Sequence, residues 1–126
     1  MSLQSPLGRV LGLGTAKDGT AHWWGQRVSA VALLLLGLWF AFMLATMDSF
    51  SHVDAVTFIG SPLNSVLLLL LVVAMGYHSY LGVQVVIEDY VHAPGLKLVS
   101  LMLSRFAHIF FAVAAVFAIL KIGLGA

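Results

Sequence analysis

The sequence predicts an all-α membrane protein of three transmembrane helices, and three observations carry that prediction. Hydrophobic residues make up 61% of the 126 residues and charged residues 9%, with a mean hydropathy of +1.05. A soluble domain averages about 45–50% apolar and about 25% charged residues, so the chain departs from that balance in both directions. The apolar residues are gathered into three stretches, each long enough to cross a hydrocarbon core about 30 Å thick, which takes about 20 helical residues. No strict alternation of apolar and polar residues runs through them, which argues against a membrane β-barrel. Lipid offers a backbone no hydrogen-bond partner, so each stretch is expected to be helical.

The first span is expected over about 27–47, and from Val28 to Met47 it holds no charged residue. The second, about 65–87, carries His78 and Gln84 as its strongly polar residues. The third, about 98–123, carries Arg105, His108 and Lys121. Asp48 to Asn64 joins the first two, with Pro62 and two aspartates, and Glu88 to Lys97 joins the last two, with Pro94-Gly95 as a turn signal. Residues 1–21 form a polar, glycine-rich lead-in to a membrane domain over 22–126. The run Gly12 to Gly19 faintly suggests a phosphate loop but lacks its pattern, and no strand precedes it. The first span begins late and is too long for a signal-peptide core, so it is expected to be retained.

Arg9, Lys17 and Arg27 precede the first span, the first connection has no Lys or Arg, and the second has Lys97. The positive-inside rule then places the N-terminus and the second connection in the cytoplasm or matrix, with Lys121 opposite. The absence of an Arg/Ser-rich leader favours a bacterial plasma membrane over a mitochondrial inner membrane.

Some functions are excluded outright. The chain has no cysteine, so thiol catalysis, Cys-ligated zinc and cysteine-held iron–sulfur clusters are beyond it. A net charge of +1 supplies no basic face for nucleic acid. The informative residues are the ionisable groups at membrane depth, which are costly in hydrocarbon and face a partner, a cofactor or water.

His78 lies about 20 Å into the second span at 1.5 Å per residue, near mid-membrane. Gly82 falls about 40° and Asp89 about 20° from it around the helix, so one stripe carries an imidazole, a glycine and a carboxylate. Imidazole is a standard axial ligand of haem iron, and a glycine one turn away lets a large flat group approach. The same pattern also fits a histidine bonded to a neighbouring helix with Gly82 as a packing residue. Asp89 and Tyr90 close the span. Tyr90 suits either an aromatic-belt anchor or a phenol donating to a quinone carbonyl, and a carboxylate at a helix C-terminus opposes the dipole. Arg27, after His22-Trp23-Trp24-Gly25-Gln26, reads as a snorkelling anchor or as a partner for a carboxylate such as a haem propionate. Arg105 and His108 share one face of the third span, at a depth that leaves open a bis-histidine site of His78 with His108.

The run His78-Ser79-Tyr80-Leu81-Gly82-Val83-Gln84-Val85-Val86-Ile87-Glu88-Asp89-Tyr90 closely resembles the second-helix signature of the hydrophobic membrane anchors of succinate dehydrogenase (respiratory complex II), of the cytochrome b type. The run His22-Trp23-Trp24-Gly25-Gln26-Arg27-Val28-Ser29-Ala30 looks like the start of that family's first helix. The third span and first connection match in hydropathy only. The resemblance implies one half of a heterodimeric helix bundle that holds a b-type haem with a second cytochrome b anchor subunit, one axial histidine from each. It implies docking of an iron–sulfur subunit and a flavoprotein subunit, and delivery of electrons from succinate to ubiquinone in the respiratory chain and tricarboxylic acid cycle. By position, His78 resembles the axial ligand, with Gly82 beside it. Tyr90 resembles the quinone-binding tyrosine, supported by Asp89, and Arg27 resembles the arginine near propionates and quinone. His108, Arg105 and His22 are secondary candidates. The alternatives are a self-contained small cytochrome b and a non-catalytic structural subunit.

Overall fold

The computed structural model describes residues 18–125. Four helices follow in order: α1 (Asp18–Ala45), α2 (His52–Gly60), α3 (Pro62–Tyr90) and α4 (Pro94–Gly123). Among the described residues there is no strand, as the sequence predicts. Among the described residues, three helices are long and apolar enough to cross a membrane. The expected spans lie within them apart from the end of the first, since α1 stops at Ala45 and residues 46–47 lie beyond it.

The differences sit at the ends. Both prolines read as connection signals open a helix instead, Pro62 in the first turn of α3 and Pro94 in that of α4. Proline is suited to that position because the first helical N–H has no intrahelical acceptor and φ is already helical. The connection between α3 and α4 therefore shrinks to residues 91–93. Lys97 Nζ donates to the Glu88 carbonyl at 2.8 Å, so a cation sits on the C-terminal carbonyls of α3, where the helix dipole favours it.

Helix α2 lies inside a segment expected to be a loop. Ser51 caps it: its hydroxyl oxygen accepts from Asp54 N at 3.2 Å and its hydroxyl donates to Asp54 Oδ2 at 2.6 Å. The hydroxyls of Ser49 and Ser51 hold the Asp54 carboxyl below its ordinary value of 3.8. At its other end, Asn64 Nδ2 donates to the Phe58 carbonyl at 3.0 Å and Ser65 to that of Ile59. The first turn of α3 thus satisfies carbonyls that the end of α2 leaves without helical partners.

Helix α3 is the middle of the molecule. Helices α1 and α4 each pack along it without approaching each other closely, and α2 leans on α3 and α4. Phe58 of α2 stacks on Trp39 of α1, with ring centroids 6.1 Å apart. Leu68, Leu71, Leu81 and Ile119 are the buried apolar residues among those described, and Ser29 is the buried polar one. So small a core is what a membrane chain allows, because lipid accepts the remaining apolar surface.

Candidate functional site

The base of the bundle is the end where α1 begins and α3 turns into α4. There α1 and α3 come together through a notch. A Cβ placed on Gly25 would lie 2.5 Å from Tyr77 Oη and 3.3 Å from Leu81 Cδ1. The glycine leaves room for the Tyr77 hydroxyl and the Leu81 methyl of α3 against α1, since any larger side chain would occupy space the tyrosine hydroxyl already fills. One turn along, this approach sets Ser29 against His78.

Ser29 Oγ lies 2.7 Å from the Gly25 carbonyl, 3.2 Å from that of Gln26 and 3.0 Å from His78 Nδ1. A serine has one hydroxyl proton, and a carbonyl can only accept. The shortest contact takes that proton to Gly25, so the proton between Ser29 and His78 comes from the ring: Nδ1–H donates to Oγ. A neutral imidazole with its proton on Nδ1 has its lone pair on Nε2. Among the described residues no hydrogen-bond partner meets that Nε2. His78 lies 16 residues past the start of a 29-residue helix, close to its middle, and is half-buried.

His108 is placed differently. Its Nδ1 lies 2.7 Å from the Ser104 carbonyl and its Nε2 3.1 Å from Ser79 Oγ. The ring therefore donates to Ser104 and accepts from the Ser79 hydroxyl, and both nitrogens are engaged. Its ring packs edge-on to Tyr80 at 5.9 Å, and Arg105 lies over the same tyrosine at 6.0 Å. His78 bonds to α1 while His108 is held between α3 and α4, so the structure does not bring the two imidazoles to one site. A groove of about 590 Å³ beside His108 is lined by Val72, Gly76, Phe111 and Ala115 among others.

Gly82 faces Gln26 of α1. A Cβ there would stand 3.7 Å from Gln26 Nε2, an ordinary contact, so packing within this chain does not itself require glycine. Asp89 and Tyr90 occupy the last turn of α3 and are exposed, Tyr90 at 80%. Arg27 is exposed with its guanidinium 5.2 Å from the Trp23 ring centroid, an attractive cation–π distance. Two residues from Ser29, it falls about 160° around α1 and so points away from His78. His22 is half-buried on the α3 side, and its Nε2 and Gln26 Oε1 are buried without partners among the described residues.

The residues that sequence reasoning missed are Ser29 and Ser79, which bond the two membrane histidines, and the Gly25–Tyr77 notch. Ser29 had one signal, as the sole hydroxyl residue between Val28 and Ala45. Nothing in the sequence pattern marked the notch.

A family model described as the succinate dehydrogenase/fumarate reductase transmembrane subunit matches residues 1–120. A succinate dehydrogenase hydrophobic membrane anchor subunit of Paracoccus denitrificans is 32% identical over 115 residues, covering 91% of this chain and 88% of that one. The corresponding subunit of Rickettsia bellii is 40% identical over 85 residues, 67% of each chain. A succinate dehydrogenase membrane anchor subunit of Reclinomonas americana is 33% identical over 92 residues, 71% of this chain and 77% of that one.

Proposed function

Because this chain belongs to the succinate dehydrogenase/fumarate reductase transmembrane subunit family, a multi-pass membrane family, we propose that it anchors a succinate:ubiquinone oxidoreductase. On this reading it holds one b-type haem jointly with a second anchor subunit and forms part of the ubiquinone-reduction site. The observation that carries the reading is His78: an imidazole near the middle of a membrane helix, clamped at Nδ1 by Ser29, with a free lone pair on Nε2. His108 differs in having both ring nitrogens bonded.

The donor set fits the group. His78 would be the axial ligand to the iron and Gly82 would leave room for the ring plane; a role for Arg27 toward the propionates rests on the resemblance, since its side chain points away from His78. When bound, the haem supplies a one-electron carrier beside the quinone pocket. His108 has both nitrogens engaged, and on this reading the second ligand comes from the partner anchor subunit. This weighs against a self-contained cytochrome using His78 and His108.

Reducing a quinone to a quinol takes up two electrons and two protons, so its carbonyls must meet hydrogen-bond donors at the water edge. The last turn of α3 offers this, with the Tyr90 phenol as donor and Asp89 beside it. Electrons would arrive from the flavoprotein and iron–sulfur subunits docked at the base. Arg27 and Lys97 stand at that end, while the connection from Asp48 to Asn64 holds no Lys or Arg, a bias that by the positive-inside rule would put the base on the cytoplasmic side of a bacterial plasma membrane.

The test is extraction in mild detergent. A flavoprotein, an iron–sulfur protein and a b-type spectrum should accompany the chain, and His78→Ala should abolish or alter that spectrum. A b-type spectrum unchanged by the substitution removes His78 as a ligand and with it the reading.

A further inference from the structure

We infer that Ser29 is the positioning residue of His78: it fixes the ring's tautomer and orientation, so that iron is taken at Nε2 alone. The inference rests on the haem-ligand reading of His78 and goes beyond it.

Ser29 is the buried polar residue among those described, at 6% exposure, and only apolar residues follow it in α1. A serine on a membrane helix commonly bonds back to a carbonyl of the preceding turn, and Ser29 does so at Gly25. That bond alone would leave its lone pairs without a role. Here one lone pair meets a ring nitrogen of α3 at 3.0 Å, 49 positions along the chain. The chain His78 Nδ1–H to Ser29 Oγ–H to the Gly25 carbonyl runs in one direction, so each bond polarises the next.

Three consequences follow for the ring. Nδ1 is capped and cannot ligate. The proton is held away from Nε2, which keeps the ligating lone pair available without a deprotonation step. A ring whose N–H donates to an acceptor is also a more basic ligand, which favours ferric over ferrous iron. The Gly25–Tyr77 notch supports all three, because it sets the distance at which α1 offers the hydroxyl.

The experiment uses the whole complex with Ser29→Ala, Ser29→Cys, Ser29→Thr and His78→Ala, reading haem retention, midpoint potential and the low-temperature EPR of the ferric haem. Loss of an outer-shell partner typically weakens metal binding about 10–100-fold. Ser29→Ala should show a loss of haem affinity in that range. It should also show a more positive potential, by about 59 mV for each tenfold lost in ferric preference, and a displaced EPR signal. Ser29→Thr, which keeps the hydroxyl, should match the unsubstituted complex in all three. Should the alanine variant fail to assemble, Ser29→Cys fills the site with a somewhat larger group that is a weaker acceptor and should displace the potential in the same direction. Unchanged potential and EPR in the alanine variant, or in the cysteine variant where alanine does not assemble, overturns the inference. That outcome alongside a spectrum lost in His78→Ala fells the Ser29 role alone. A b-type spectrum surviving intact in His78→Ala fells the ligand reading beneath it.

Discussion

Replacing Gly25 with alanine tests the geometry on which the candidate site depends. The added Cβ would sit 2.5 Å from Tyr77 Oη and 3.3 Å from both Tyr77 Cζ and Leu81 Cδ1. Real Cβ contacts essentially never fall below 3.0 Å, so relief requires a shift of at least about 0.5 Å by α1, by the tyrosine or by both. Leu81 is buried at 5% exposure and closes one way out. Tyr77 is 48% exposed and its hydroxyl is the far end of the side chain, so the ring yields first and the overpacking should destabilise the bundle by about 1 kcal/mol, the low end of the usual range. A separation of about 0.5 Å passed one turn along the seam would lengthen the 3.0 Å Ser29–His78 contact to the edge of hydrogen bonding. Gly25→Ala should therefore lose stability in graded SDS unfolding of the detergent-solubilised complex and also perturb the haem spectrum. Adding Tyr77→Phe removes the closest atom and should recover part of the loss, leaving the 3.3 Å contacts. Gly82→Ala, whose Cβ would meet Gln26 Nε2 at 3.7 Å, should not show this packing penalty within the chain. A Gly25→Ala complex as stable as the unsubstituted one, with or without Tyr77→Phe, refutes the close-packed seam.

Two further substitutions separate the roles of the remaining candidates. Tyr90→Phe should lower quinone reductase activity while succinate oxidation with an artificial acceptor continues, and equal loss of both activities would remove Tyr90 from the quinone site. His108→Ala strips partners from Ser79 and from the Ser104 carbonyl, so it should cost about 1–3 kcal/mol of stability and keep the b-type spectrum. Disappearance of that spectrum would instead restore a site built from both histidines.

The three spans were legible because membrane helices are written in the least ambiguous code a sequence has, length and hydropathy. Their starts were not, because Pro62 and Pro94 open helices by the same property that makes proline a turn signal, a fixed φ without an N–H. Helix α2 was hidden by its nine residues between Asp48 and Pro62. Its Ser51–Asp54 cap is a local signal that could have exposed it. At the site, His78, Gly82 and Asp89 stood out because one helix repeat spaces them, and Tyr90 because it closes the span. Ser29 did not, since its partner is 49 positions away and only the crossing of α1 on α3 brings them together. Depth alone allowed His78 and His108 a common site, but depth compares heights and ignores azimuth. Positions 78 and 79 differ by about 100° around α3, and it is Ser79, not His78, that meets His108.

The placing of α3 between α1 and α4 has a consequence for how the molecule is put together. Helices α3 and α4, separated by three residues, form a hairpin that can enter the bilayer as one piece and hold itself with the Lys97 latch. Helix α1 lies along the other side of α3 and makes no close approach to α4. Without that contact the imidazole of His78 has no hydroxyl to bind, so the seam between α1 and α3 decides whether the ring is held.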